Sequence, residues 1–150
     1  MTIDRGFRIR ALGEIAIRCA DLSAMIAFYR DVLGLSMIHG GHRQGIAFFE
    51  LGESYGGHTA VLALFQANPP PSPVTGPGSS LHHIALTIDA AEQDAAERYL
   101  IGQGLPCRIE EFPWIGWRGV FTQDPEGNTV ELVAKTGPAQ DAGARREADD

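Results

Sequence analysis

The feature that most constrains the fold of this chain is that its first half is written again in its second. "EIAIRC" (14–19) lies on "HIALTI" (83–88), so that Glu14 falls on His83, Ile15 on Ile84, Ala16 on Ala85 and Ile17 on Leu86. The register persists: "GLSM" (34–37) meets "GLPC" (104–107), and "AVLAL" (60–64) meets "NTVEL" (128–132), which sets Ala63 on Glu131. The spacing stays at about seventy residues, and a unit repeated at fixed spacing implies two like units packed with pseudo-symmetry, neither closing a core alone.

Local patterning gives each half the same order. "EIAIRCA" (14–20) alternates as a half-buried strand does, and "DLSAMIAFYRDVLG" (21–34) places Met25, Ile26, Tyr29, Val32 and Leu33 at helical spacing. Asp21 or Ser23 can cap the helix start, and Gly34 suits the left-handed residue that ends it. "GIAFFEL" (45–51) and "TAVLALF" (59–65) read as antiparallel strands joined by a turn. "ANPPPSPVTGPGSS" (67–80) is crowded with proline and glycine and excludes regular structure, so it is taken as a linker. The order then resumes with a strand (83–89), a helix (90–104), the strand "RGVFTQ" (118–123), the turn "DPEGN" (124–128) and the strand "TVELVAK" (129–135). Two βαβββ modules follow, about 9–66 and 81–135. The tail 136–150 is small, charged and nearly free of apolar side chains, and is expected to be disordered.

At 150 residues, with 44% hydrophobic and 21% charged, the chain is long enough for one domain built from two halves and too short for two ordinary ones. A net charge of -7 repels a phosphate backbone, and no basic cluster interrupts it except Arg145-Arg146. Nucleic acid and anionic membrane are therefore not expected partners. No apolar run approaches the roughly 20 residues that span a bilayer, and "MTIDRGFRIRALGE" lacks the apolar segment of a secretory signal. A soluble, cytoplasmic protein is the expectation. Cys19 and Cys107 are far apart and form no CxxC, and read as buried small apolar residues.

With these pieces in order, the chain resembles the vicinal oxygen chelate superfamily, the fold of glyoxalase I, bleomycin-resistance proteins, fosfomycin-resistance proteins and type I extradiol dioxygenases. The likeness covers about residues 8 to 135 and is carried by "ADLSAMIAFYRDVLGL", "HHIALTI" and "DPEGNTVEL". It implies an α+β fold in which two tandem βαβββ modules form an incompletely closed, U-shaped sheet around a central cleft holding a divalent metal. Carried over by register, the family's ligand positions are Glu14, Ala63, His83 and Glu131, the positions that the internal repeat already pairs. Alanine cannot ligate, so the implied metal set is Glu14, His83 and Glu131. Two carboxylates and one imidazole suit Mn, Fe(II), Ni, Co or Mg better than a structural zinc, although Zn remains among the candidates.

Each residue also has a plainer reading. His83 opens a strand beside apolar neighbours, where an isolated histidine is usually structural. Glu131, between Val130 and Leu132, must face solvent, pair or ligate, because a lone buried charge is costly. Glu14 can pair with Arg18 on the same strand face instead. His82 falls on the opposite face from His83 if the strand has begun by then, outside the metal site. His58 precedes a strand at a turn, and His39 and His42 lie in the loop "IHGGHR"; solvated loop histidines are the default for all three. Trp114 and Trp117 in "PWIGWRGVF" either wall a substrate pocket or plug the sheet, and Arg118 either meets a substrate carboxylate or sits at a strand edge.

Two functions compete. The first is a metal-dependent enzyme on a small molecule that chelates the ion through adjacent oxygens, glyoxalase-like (a lyase or isomerase) or dioxygenase-like, with Glu131 or Glu14 as the catalytic carboxylate and Trp114, Trp117, Arg118 and Phe121 against substrate. Phe121 stands where ring-cleaving dioxygenases carry a tyrosine and Glu14 where they carry a histidine, which disfavours extradiol cleavage. The second is a metal-free protein that sequesters a ligand, as bleomycin-resistance proteins do. Homodimerisation is the family habit.

Overall fold

In the computed structural model the described residues are 3–38, 44–69 and 75–140. They fall into two compact units, Met1–Ser72 and Pro73–Asp150. The first contains β1 (Glu14–Cys19), α1 (Leu22–Ala27), β2 (Ile46–Glu53) and β3 (Thr59–Gln66). The second contains β4 (Ile84–Thr87), α2 (Gln93–Gly102), β5 (Arg108–Phe112), β6 (Trp117–Gln123) and β7 (Thr129–Lys135). Both sheets are open and mixed. The first runs β1-β3-β2 and the second β4-β7-β6-β5. In each, the outer first strand is parallel to the last, and the remaining pairs are antiparallel.

The repeat read from the sequence reappears as hydrogen-bonding register. Ala16 pairs with Ala63 across the parallel β1 and β3, and Ala85 pairs with Glu131 across the parallel β4 and β7. Ala63 and Glu131 thus hold the same place in their two sheets.

There are two local departures. The helix expected over 21–34 is a short α-helix that widens into a π-turn over Phe28–Val32. Phe28 and Tyr29 in the widened turn are buried together with Met25 and Ile26 of the helix, one continuous apolar face. Asp21 caps the start by accepting from the Ala24 N–H at 3.1 Å, and Gly34 ends the turn at φ +77°. In the first unit, the strand that would match β5 is one bridge, Met37 to Phe49, supported by the Glu50 N–H donating to Ser36.

β5 is an addition to the elements read from the sequence, because "RIEEF" buries neither alternate position fully. A single 3-10 turn, Gly76–Gly78, forms within the linker, whose residues 70–74 lie outside the described ones. Thr136 and Gly137 both donate to the carbonyl of Gly116, while 141–150 lie outside the described residues, as do His39 and His42.

The core of the first unit is Cys19, Met25, Tyr29, Ala47, Phe49, Leu62, Ala63 and Leu64, all without exposed surface. In the second, Leu100, Val120 and Val130 are equally buried, and so is Gln93. The Gln93 side chain replaces water at the helix-sheet contact: its Nε2 donates to the carbonyls of Arg118 (2.7 Å) and Leu132 (3.2 Å), and its Oε1 accepts from Arg118. Burial pushes the Cys107 thiol up, and the charge of Glu97 adds to the effect, so it is not a poised nucleophile. Among the described residues no helix is long and apolar enough to cross a membrane.

Candidate functional site

The candidate site is built on one face of the second sheet. Side chains alternate along a strand, so Trp117, Gly119 and Phe121 of β6 share a face with Glu131 of β7, which pairs directly with Phe121. Glu131 is only 5% exposed, and a carboxylate buried to that degree is costly unless something answers its charge. His83, just before β4, does so: its Nε2 stands 3.0 Å from Oε2 of Glu131.

Two neighbours fix this pair. Gly119 leaves the space the carboxylate occupies, since a Cβ there would overlap Oε1 of Glu131 and come within 2.7 Å of the Phe121 ring. Phe121, itself 5% exposed, sets its ring edge-on to His83 with centroids 6.1 Å apart and helps bury the Glu131 carboxylate, while the imidazole remains partly exposed. The local turn is equally determined. Asp124 accepts from the Glu126 and Asn128 N–H groups and from the Asn128 side chain, and so delivers Thr129 into β7 in the register that points Glu131 at His83.

His82 is not outside this site. Its Nδ1 stands 2.7 Å from Nδ1 of His83, and the two rings meet edge to face. The strand begins only at Ile84, so the alternation that would separate neighbouring side chains does not yet apply at 82 and 83. When Nε2 of His83 carries its proton toward Glu131, Nδ1 is an acceptor and His82 the donor; when Nε2 is a ligand, the roles reverse. Either way His82 orients the His83 ring.

The separation of 3.0 Å is a hydrogen bond, and it is also the distance between two ligands at right angles on a divalent ion with bonds of about 2.1 Å. One nitrogen and one buried carboxylate oxygen, aimed at a common point with space kept by a glycine, fit such an ion as two of its protein ligands. Within the second unit no third His, Cys, Asp or Glu completes the set among the described residues.

The other candidates are dispersed. Glu14 is exposed at the start of β1 in the first unit, and it makes no ion pair with Arg18 among the described residues. Trp117 pairs with Lys135, about 13 Å of strand from Glu131, and Trp114 lies in the adjoining turn; both are about half exposed. Arg118 faces the helix side, opposite Phe121 and Glu131, where it reaches Gln93 and the carboxylate of Asp94 at 3.2 Å. His58 lies in the β2-β3 turn with its ring against Gly13. The structure therefore gathers His83, Glu131 and Phe121, adds His82 and Gly119, and leaves Trp114, Trp117 and Arg118 elsewhere. The signal for Gly119 is present in the sequence, since a glycine inside a strand marks a close approach. Nothing comparable announces His82.

The family model of the Glyoxalase/Bleomycin resistance protein/Dioxygenase superfamily matches residues 11–132. The uncharacterized protein YwkD of Bacillus subtilis (strain 168) is 30% identical over 126 residues, covering 83% of this chain and 96% of its own. A lactoylglutathione lyase from Agrobacterium tumefaciens is 28% identical with a TM-score of 0.59, over 82% of this chain and 92% of that one. A glyoxalase/dioxygenase from Nostoc punctiforme has a TM-score of 0.68 at 22% identity, over 91% of this chain and 98% of that one, a likeness of fold alone. A match running through both units, joined by a relative of similar length, leads to one assignment: the chain belongs to the Glyoxalase/Bleomycin resistance protein/Dioxygenase superfamily.

Proposed function

We propose that the protein is a divalent-metal-dependent enzyme acting on a small molecule that offers two adjacent oxygens, of the glyoxalase-like lyase or isomerase kind or dioxygenase-like. The observation that carries this reading is the buried Glu131 carboxylate aligned with Nε2 of His83 at 3.0 Å. His83 and Glu131 would hold the ion, which is Fe, Mn, Ni, Co or Zn. Glu14 enters as third ligand on the sequence repeat and the family resemblance alone.

When bound, the ion supplies Lewis acidity to the chelated oxygens. The chain's own residues supply the rest. Gly119 and His83 fix the orientation of the Glu131 carboxylate, Phe121 keeps water from it, and His82 holds the imidazole ring in place. A site carboxylate, Glu131 or Glu14, is the proton acceptor in this reading.

The test is the metal content of protein purified without chelators or a histidine tag, compared with His83→Ala. About one equivalent per chain, lost in the variant, is expected. No metal in either protein, and none taken up on addition, overturns the reading. One observation favours a second reading, a metal-free ligand-binding protein: the position equivalent to Glu131 in the first unit is Ala63, buried and without a donor. In that case His83→Ala leaves metal content at zero and weakens only ligand binding.

A further inference from the structure

A second feature of the Pro73–Asp150 unit has no part in the paired donors. A cavity of about 520 Å³ lies between the segment Thr75–Leu81, the turn at Gly127–Asn128, and Arg108 with Phe121. That volume suits a small organic ligand. We propose that this cavity binds a small-molecule carboxylate, a monoanion with an apolar body. Neither His83 nor Glu131 lines the cavity, but His82 and Phe121 do, so it adjoins the candidate site; a titration without metal therefore reads the cavity separately from the metal proposal.

The polarity of the lining carries the argument. In a chain of net charge -7, Arg108 is, among the described residues, the one lining this cavity with a fixed charge, and that charge is positive. Its guanidinium lies over the Phe121 ring at 4.2 Å from the centroid, which holds the planar group at the cavity wall. A guanidinium so held presents a two-donor edge that matches a carboxylate. Glu110 now occupies that edge, and both partners are about half exposed, so the pair is screened by water and open to exchange. An incoming carboxylate would take the place that a carboxylate already fills.

Neutral groups complete the site. Ser79 Oγ accepts from the Leu81 N–H, which leaves its own proton to donate, and Thr129 adds a second hydroxyl. The Asn128 amide is already committed to Asp124. Leu81, Pro77 and the Phe121 ring line the apolar part. A single guanidinium answers a single negative charge. A carboxylate is thereby favoured over a phosphate dianion.

The experiment is an amide-resolved NMR titration of the full chain with benzoate, benzamide and inorganic phosphate. Saturable shifts at Arg108, Leu81 and Thr129 are expected with benzoate, with benzamide and phosphate weaker by about tenfold or more. Arg108→Gln should weaken benzoate by about tenfold, while Glu110→Gln, which removes the internal competitor, should strengthen it a few-fold. The two variants move in opposite directions, so a folding defect at position 108 leaves the Glu110 arm decisive. No saturable benzoate shift, equal binding of benzamide, tighter binding of phosphate, an unchanged affinity in a folded Arg108→Gln, or no gain in Glu110→Gln overturns the proposal.

Discussion

A methyl group at position 119 would occupy the space of the Glu131 carboxylate and press on Phe121. Gly119→Ala is therefore expected to destabilise the protein by about 1–3 kcal/mol, the ordinary range for overpacking a filled site. It should show as a lower urea midpoint at unchanged slope. A midpoint equal to the parent's would mean that the carboxylate moves aside freely, and that nothing holds it toward His83. At this scale the sequence was informative where residues repeat and silent where they meet through loops. Glu131 and His83 could be named together because the internal repeat and the family resemblance single out both positions, and the structure sets their side chains in contact. His82 was not, since its position depends on a loop conformation ahead of the strand. Arg118 was grouped with Phe121 because the two are near in sequence, whereas alternation sends them to opposite sides of β6.

The elements are joined by buried polar clamps that apolar patterning does not reveal. Gln93 links α2 to the carbonyls of β6 and β7 and to Arg118, without any exposed surface. Replacing it with leucine keeps the volume and strands those partners, so Gln93→Leu should cost about 1–3 kcal/mol in equilibrium unfolding. A cost near zero would show that water takes over the amide's role. At the surface of the first unit the exposed Gln66 bridges in a similar way, accepting from the Leu22 N–H and donating to the carbonyls of Cys19, Ala20 and Ala67. Strands with clean alternation and a capped helix start were readable from residues. β5 was not, because its Glu110 and Glu111 break the alternation, and the π-turn was not, because helical spacing does not distinguish a turn widened by one residue.

At the scale of the molecule, the two units repeat a hydrogen-bonding plan while filling it differently. Where the second sheet carries Glu131, the first carries a fully buried alanine, so one unit keeps a hydrogen-bonded His83–Glu131 pair and the other a closed apolar core. Among the described residues, each sheet also ends on strands paired along one edge only, β1 in one and β4 and β5 in the other, while the outer edge of β2 carries the single Met37 bridge. Strand edges of this kind are commonly covered in assembly. Light scattering of the purified protein is expected to give about twice the chain mass of 16.2 kDa. A mass of one chain across the micromolar range would remove the dimer from the reading.

The short contact between the imidazoles of His82 and His83 gives the protein a spectroscopic reporter of its own. A proton held between two ring nitrogens 2.7 Å apart resonates far from the amide envelope. Because His83 faces Glu131 with its other nitrogen, anything that engages that nitrogen changes which ring owns the shared proton. Occupancy of the site is thereby written into a single proton signal, without a label and without a substrate.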